Sequence, residues 1–473
     1  LSTPLKRPER ARRPDLLTGP VRSTLFKLAL PMAGGMLINS AMGVVDMIWL
    51  GRVGKEALAA VSLCFPLHFL IITAGAGANT AASAVLARYL GAGDQRRVDR
   101  TVLYILAAWL GLTLLLMPLG LLSARAILSS TGAATGVVER AHGYITTIYW
   151  GVWAILGQMI IGGLYRGAGD TKFPFYVLTL TVVINAVLDP LMIFGIGPFP
   201  RMEVEGAALA TALSRVIGFA VIFIHLALGR GPIRVRLAAR GWDRQVFSRL
   251  WRLAVPGFIQ RTVVPVAIQI ILYIITPLGT AVVGAFGVGQ RLFNLAYLPA
   301  IGFNNAAMVM IGQCHAAGLS ERTRRTSIDT TWITVSITAG VAALLALFPD
   351  FWMGLFSDSA EVVTVGRTLV LFAAASLPFV ALVLLTNGYF NAMGQGLYAM
   401  LPTVVHRLLL EPASVWLGVS LIGLSGAWLG MASAGCLAGL GALMILIGRW
   451  RALRRQARSA QHREVEVEPA PGS

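Results

Sequence analysis

The chain has 473 residues, of which 56% are hydrophobic and 13% charged, and its net charge is +18. An ordinary soluble domain is about one-quarter charged, so this composition argues against a water-soluble globular protein. A surplus of 39 basic over 21 acidic residues would point to nucleic acid in a soluble protein. Here it bears on topology, because membrane proteins gather basic residues on one side.

In chain order, residues 1–23 form a Pro- and Arg-rich arm, expected in solvent or along lipid headgroups. A bilayer core needs about 20 apolar residues per helix. Twelve stretches qualify: 24–49, 57–87, 101–124, 141–165, 174–195, 206–229, 254–278, 281–312, 327–348, 364–390, 398–420 and 424–448. The first is too long and too interrupted for a cleaved signal sequence. Residues 230–253 form a basic connector, expected as an amphipathic segment at the membrane interface. The tail 449–473 turns polar and is expected to be disordered from Gln456 onward. Cys64, Cys314 and Cys436 lie far apart in apolar runs, without metal-ligand spacing, and read as small core residues.

The basic residues sort by side. The N-terminal arm with Lys27 at the foot of the first span, the loops after even-numbered spans and the tail hold 29 of the 39. The opposite loops hold Arg52, Lys55, Arg125, Arg140, Arg201 and Arg367. Such a bias places both termini in the cytoplasm and the protein in the cell membrane.

The sequence also repeats itself. Leu28-Ala29-Leu30-Pro31 recurs as Leu253-Ala254-Val255-Pro256, and the same offset aligns Gly54 with Gly279, Gly77 with Gly302, Asn79 with Asn304 and Gly169 with Gly394. The fold class is therefore all-α: twelve transmembrane helices in two pseudo-symmetric six-helix bundles, an N-lobe over 24–229 and a C-lobe over 254–448. Six spans per copy is even, so both copies enter the membrane in the same sense, and the space between them is the expected substrate path.

Only Asp46, Asp189 and Glu411 among the acids lie well inside spans. A carboxylate at the bilayer centre costs about 2.5–3.5 kcal/mol on insertion scales, so each needs a partner or a task. At about 1.5 Å per helical residue, Asp46, Asp189 and Thr211 share one depth in the outer half of the N-lobe. Asn185 is one turn from Asp189 on the same helix face. Two nearby carboxylates resist ionising together and take up protons as a unit, so the four residues suit a proton or Na+. In the C-lobe the counterparts are Ile271, Arg407 and Met431, and Arg407 with Glu411 is an i, i+4 pair expected to neutralise itself. Arg215, Arg261 and Arg291 complete the buried arginines; Arg215 is expected near Asp46 or Asp189, and Arg291 near Glu411. Asn39 and Gln158 are candidate substrate-cavity residues. The sequence holds no His/Glu zinc motif and no Gly-x-Ser-x-Gly elbow, so an enzyme is not expected.

Pro31 with Val45-Asp46, Gly51 to Ala60, Gly91-Ala92-Gly93-Asp94, Arg166-Gly-Ala-Gly-Asp170 and Asn185-x-x-x-Asp189-Pro190 together resemble the multidrug and toxic compound extrusion (MATE) family over about residues 24–448. The resemblance implies export of amphipathic, often cationic compounds against Na+ or H+ entry, without a cofactor, by a monomer that contacts lipid and no nucleic acid. It implies the branch with an N-lobe ion site (the DNA-damage-inducible and archaeal members), with Asp46, Asn185, Asp189 and Thr211 at the matching positions and Pro31 at the bend of the first span. A lipid-linked saccharide flippase of the same superfamily is the alternative expectation.

Overall fold

The computed structural model describes residues 16–234, 236 and 241–467. Among these residues every regular element is helical. The first lobe comprises α1 (Val21–Val53), α2 (Lys55–Gly91), α3 (Gln95–Ser129), α4 (Thr135–Trp150), α5 (Val152–Gly167), α6 (Lys172–Phe194) and α7 (Glu203–Ala227). The second comprises α8 (Arg244–Ile275), α9 (Thr280–Ala316), α10 (Ser320–Leu347), the short α11 (Pro349–Gly354), α12 (Ala360–Ala392), α13 (Gly396–Val404), α14 (Glu411–Ile422) and α15 (Leu424–Val467). A π-helical turn, Val405–Leu410, joins α13 to α14, and the three pieces make one span. Eleven spans result, and α4 with α5, bent by 48°, makes the twelfth.

The two bundles repeat one another down to their turns. Gly54 and Gly279 (φ 146° and 121°), Gly93 and Gly318 (72° and 78°), and Gly169 and Gly394 (86° and 74°) occupy matching corners. Side chains disfavour such backbone angles, so glycine at each pair fixes the same corner twice. Each lobe is filled by apolar side chains, such as Leu86, Ile105, Ile160 and Leu164 in the first and Phe286, Leu369 and Trp428 in the second. The outward faces keep large apolar residues exposed, among them Leu122, Leu421 and Met444, as a helix surrounded by lipid requires.

Three expectations about the chain ends and connector change. Residues 1–15 of the arm lie outside the described residues, but Leu16 is buried against the second lobe, its carbonyl accepting from Arg322 Nε at 3.0 Å. Arg22 pairs with Asp329 of α10 at 3.2 Å. A buried leucine and an ion pair thus hold this end of the arm on protein instead of lipid. The tail continues α15 as far as Val467, because nothing in its alternating basic and small residues breaks a helix. The connector's last ten residues already belong to α8. Asp243 caps that helix, its Oδ1 accepting from the Gln245 and Val246 N–H groups at 3.0 and 3.2 Å, and its Oδ2 pairs with Arg100 of α3 at 3.0 Å. Burial opposes ionisation of Asp243, but the Val246 amide, Arg100, the Gln245 amide and nearby Arg97 hold its carboxyl below the usual carboxylate range.

The lobes meet in the half of the molecule that carries both chain ends. Gly91 abuts Gln313, whose Nε2 donates to the Gly167 carbonyl at 3.0 Å, and Arg88 Nη1 donates to the Met393 carbonyl at 2.8 Å. Further in, Gly77 of α2 lies against Ala254 and Phe258 of α8, Gly302 of α9 lies against Ala33 of α1, and Phe26 meets Phe303 edge-on at 5.1 Å. Beyond this seal the same helix stripes open. On α1, Leu37 and Val44 are 49% and 59% exposed; on α9, Leu295 is 45% exposed and Arg291 is also exposed. A cleft therefore separates the lobes on the side away from the termini.

Candidate functional site

Three helices of the first lobe bring Asp46 (α1), Asn185 and Asp189 (α6) and Thr211 (α7) together, as their depths in the sequence predict. The carboxyl groups of Asp46 and Asp189 lie within hydrogen-bonding reach of each other. Asn185 Nδ2 donates to Asp189 Oδ1 at 3.1 Å and to Thr211 Oγ1 at 3.4 Å. Asn185 and Asp189 are fully buried, Thr211 nearly so and Asp46 half-buried.

Three oxygens of this cluster, Asp46 Oδ1, Asp189 Oδ2 and Asn185 Oδ1, are buried without a hydrogen-bond donor. An unmet buried acceptor costs about 1–3 kcal/mol, more when charged. A proton shared by the carboxyls would satisfy part of the set, and a small cation coordinated by the oxygens would satisfy it differently. Tyr144 of α4 is buried close enough to both carboxyls to feel their charge. It carries no pattern in the sequence that would single it out.

Arg215 sits one turn along α7 from Thr211 and does not bond either carboxylate. Its Nη1 donates to Gln158 Oε1 at 3.1 Å and its Nη2 to Asn39 Oδ1 at 2.9 Å. Gln158 Nε2 in turn donates to Thr181 Oγ1 at 2.7 Å. Asn39 and Gln158, proposed separately as cavity residues, thus share one guanidinium, which ties α1, α5, α6 and α7 beside the carboxyl pair. The charge of Arg215 still acts on Asp46 through space.

The C-lobe pair forms as its spacing predicts, with Arg407 Nη1 bonding both Glu411 oxygens at 3.0 and 2.8 Å. Arg291 therefore has no call on Glu411 and stands exposed instead. Arg261 is exposed as well. Pro31 lies inside α1, which runs unbroken from Val21 to Val53. No group of three or more His, Cys, Asp or Glu side chains suited to a metal ion occurs among the described residues.

Twelve spans in two matched bundles, a cleft between them and a carboxyl pair at the edge of one bundle define a polytopic membrane transporter. The MatE family model matches the chain twice, over residues 31–191 and again over 256–417, and the chain belongs to the MATE family. The two matches begin at Pro31 and Pro256, the prolines that open the internal repeat. The chain is 27% identical to the "FAD transporter" of Shewanella oneidensis, over 90% of this chain and 95% of that one. It is also 27% identical to the "Probable multidrug resistance protein NorM" of Thermotoga maritima, over 91% and 93%. Among solved structures, one titled as the outward-facing conformation of a multidrug resistance MATE family transporter superposes with a TM-score of 0.88 at 25% identity. That match covers 93% of this chain and 98% of the other.

Proposed function

We propose that this MATE transporter is a secondary antiporter, exporting amphipathic organic compounds while Na+ or H+ enters through Asp46, Asp189, Asn185 and Thr211. The observation that carries this reading is the set of three donorless buried oxygens in one cluster. Such a cluster holds a proton or a cation in one state and releases it in another. The lobes 24–229 and 254–448 rock about the connector 230–253, so that the cleft opens alternately to either side. The basic bias puts the chain ends, and therefore the seal, on the cytoplasmic side of the cell membrane. In that orientation the present arrangement is open to the outside. The cycle needs no cofactor, and one chain supplies both lobes, so a monomer suffices. Arg407 and Glu411 serve structure, and Pro31 marks the place where α1 can flex.

The flippase alternative draws support from the exposed Arg261 and Arg291, since guanidinium groups suit pyrophosphate. The twelve-span count and the names of the full-length relatives favour the exporter. The deciding experiment reconstitutes the chain in proteoliposomes and imposes Na+ and pH gradients separately. Substrate movement driven by one gradient and dissipated by the matching ionophore is expected; movement indifferent to both refutes antiport.

A further inference from the structure

The C-lobe wall of the cleft carries positive charge with nothing on that wall to neutralise it. On α8, Ala254, Gly257 and Phe258 pack on Gly77, so this stripe faces the N-lobe. Arg261 lies three residues beyond Phe258, one turn further along the same stripe, just above the seal. On α9, Gly302 packs on Ala33, and Arg291 lies eleven residues away, which at about 100° per residue returns to within about 20° of the same direction. Leu295 occupies that stripe between them and is exposed too. The two arginines differ in height by about 12 Å when each is measured along its helix from the seal.

Neither arginine pairs with a carboxylate among the described residues, and the one C-lobe acid at membrane depth, Glu411, is consumed by Arg407. An arginine turned toward lipid at this depth would cost several kcal/mol, whereas one in a water-filled cleft does not. Both positions thus put an unneutralised guanidinium, with its planar fork of donors, in the path of whatever enters from the open side. Such a fork binds phosphate, sulfate or carboxylate in bidentate fashion. Leu37, Val44 and Leu295 on the same stripes add exposed apolar surface beside them.

We propose that the cleft selects amphipathic organic anions, a flat or elongated apolar body bearing phosphate or carboxylate, with Arg261 and Arg291 as the anion ligands. This deepens the exporter reading and rests on it, and it reverses the charge preference that the family resemblance implies. The phosphate belongs to a soluble compound or to a lipid diphosphate, and the two sources are separable.

The test uses the full chain in proteoliposomes with four probes: flavin mononucleotide, riboflavin (the same ring without phosphate), ethidium, and a fluorescent short-chain polyprenyl diphosphate. Flavin mononucleotide is expected to move at least tenfold faster than riboflavin and ethidium. In Arg261→Gln and Arg291→Gln the ratio of flavin mononucleotide to riboflavin transport falls about tenfold, and Arg261→Lys restores part of it, since a charge remains without the fork. Flipping of the polyprenyl diphosphate alone, with the same arginine dependence, assigns the anion to lipid. Ethidium transport that exceeds flavin mononucleotide transport and ignores both arginines overturns the anion assignment and leaves the exporter standing. Failure of all four probes under every gradient overturns both.

Discussion

Two glycines, Gly302 and Gly77, bring helices of the two lobes together within the seal, and adding one carbon to either tests whether the lobes rock. A Cβ at position 302 would stand 2.6 Å from Ala33 Cβ and 2.9 Å from Ala33 N. Carbon atoms prefer about 3.5–4.0 Å, and Ala33 offers no rotamer to move, so α1 and α9 must separate by about 1 Å. At position 77 a Cβ would stand 2.8 Å from the Ala254 carbonyl oxygen and 3.1 Å from Phe258 N, both backbone atoms. Overpacking of this kind costs about 1–3 kcal/mol. The cost falls only on the state in which these faces touch, so Gly302→Ala or Gly77→Ala lowers the weight of that state by about one to two decades. Spin labels at Arg96 and Gln395, both exposed at the sealed end on opposite lobes, report the separation by pulsed electron paramagnetic resonance. The expected result is a new, longer distance population in each variant. A folded variant with the wild-type distance distribution would refute the idea that this contact belongs to one of two states.

Asp46→Asn and Asp189→Asn should each reduce efflux from cells to background while leaving expression intact; normal efflux in both removes the carboxyl pair from the coupling role. Glu411→Gln leaves Arg407 largely buried and unpaired, which costs about 3–5 kcal/mol, so thermal unfolding in detergent should begin at clearly lower temperature. Wild-type stability with lost coupling would instead assign Glu411 to transport. Asp243→Asn weakens the α8 cap by about 1 kcal/mol, and the Gln245 and Val246 amides should exchange hydrogen faster. Because the Asp243 carboxyl is held below its usual range, its contribution is complete above the ordinary carboxylate value and is lost as pH falls through the depressed one. Protection factors at those amides, which divide out the intrinsic pH dependence of exchange, should therefore be steady from pH 7 to 5 in the wild type and fall only in stronger acid; a fall already at pH 6 contradicts the assigned partners.

Spans were legible because lipid imposes one rule on every helix, a run of about 20 apolar residues, and depth along such runs placed Asp46, Asp189 and Thr211 at one level before any geometry was known. Direction around the helix was harder. Arg215 was expected beside a carboxylate, yet Asn39 and Gln158 reach it from two other helices, and sequence spacing does not order neighbours within a bundle. The break of the fourth span at Gly151 was also hidden, since Trp150 and Val152 keep the run apolar. What bends it is tertiary: Gly151 lies close to Ala212, where a Cβ would stand 3.0 Å from the alanine methyl. Likewise, the arm's hold on the second lobe depends on Arg322 and Asp329, some 300 residues away in sequence.

That hold makes the N-terminus a tether. Leu16 and Arg22 lead into the first lobe but are fastened to the second, across the sealed end. Tension on the chain ahead of Leu16 is therefore delivered to the closure itself. A bulky fusion partner placed there should alter transport rates, whereas the same partner placed after α15, which leaves the bundle as a single helix to Val467, should not. The end chosen for a purification tag becomes a variable in any measurement of this transporter's cycle.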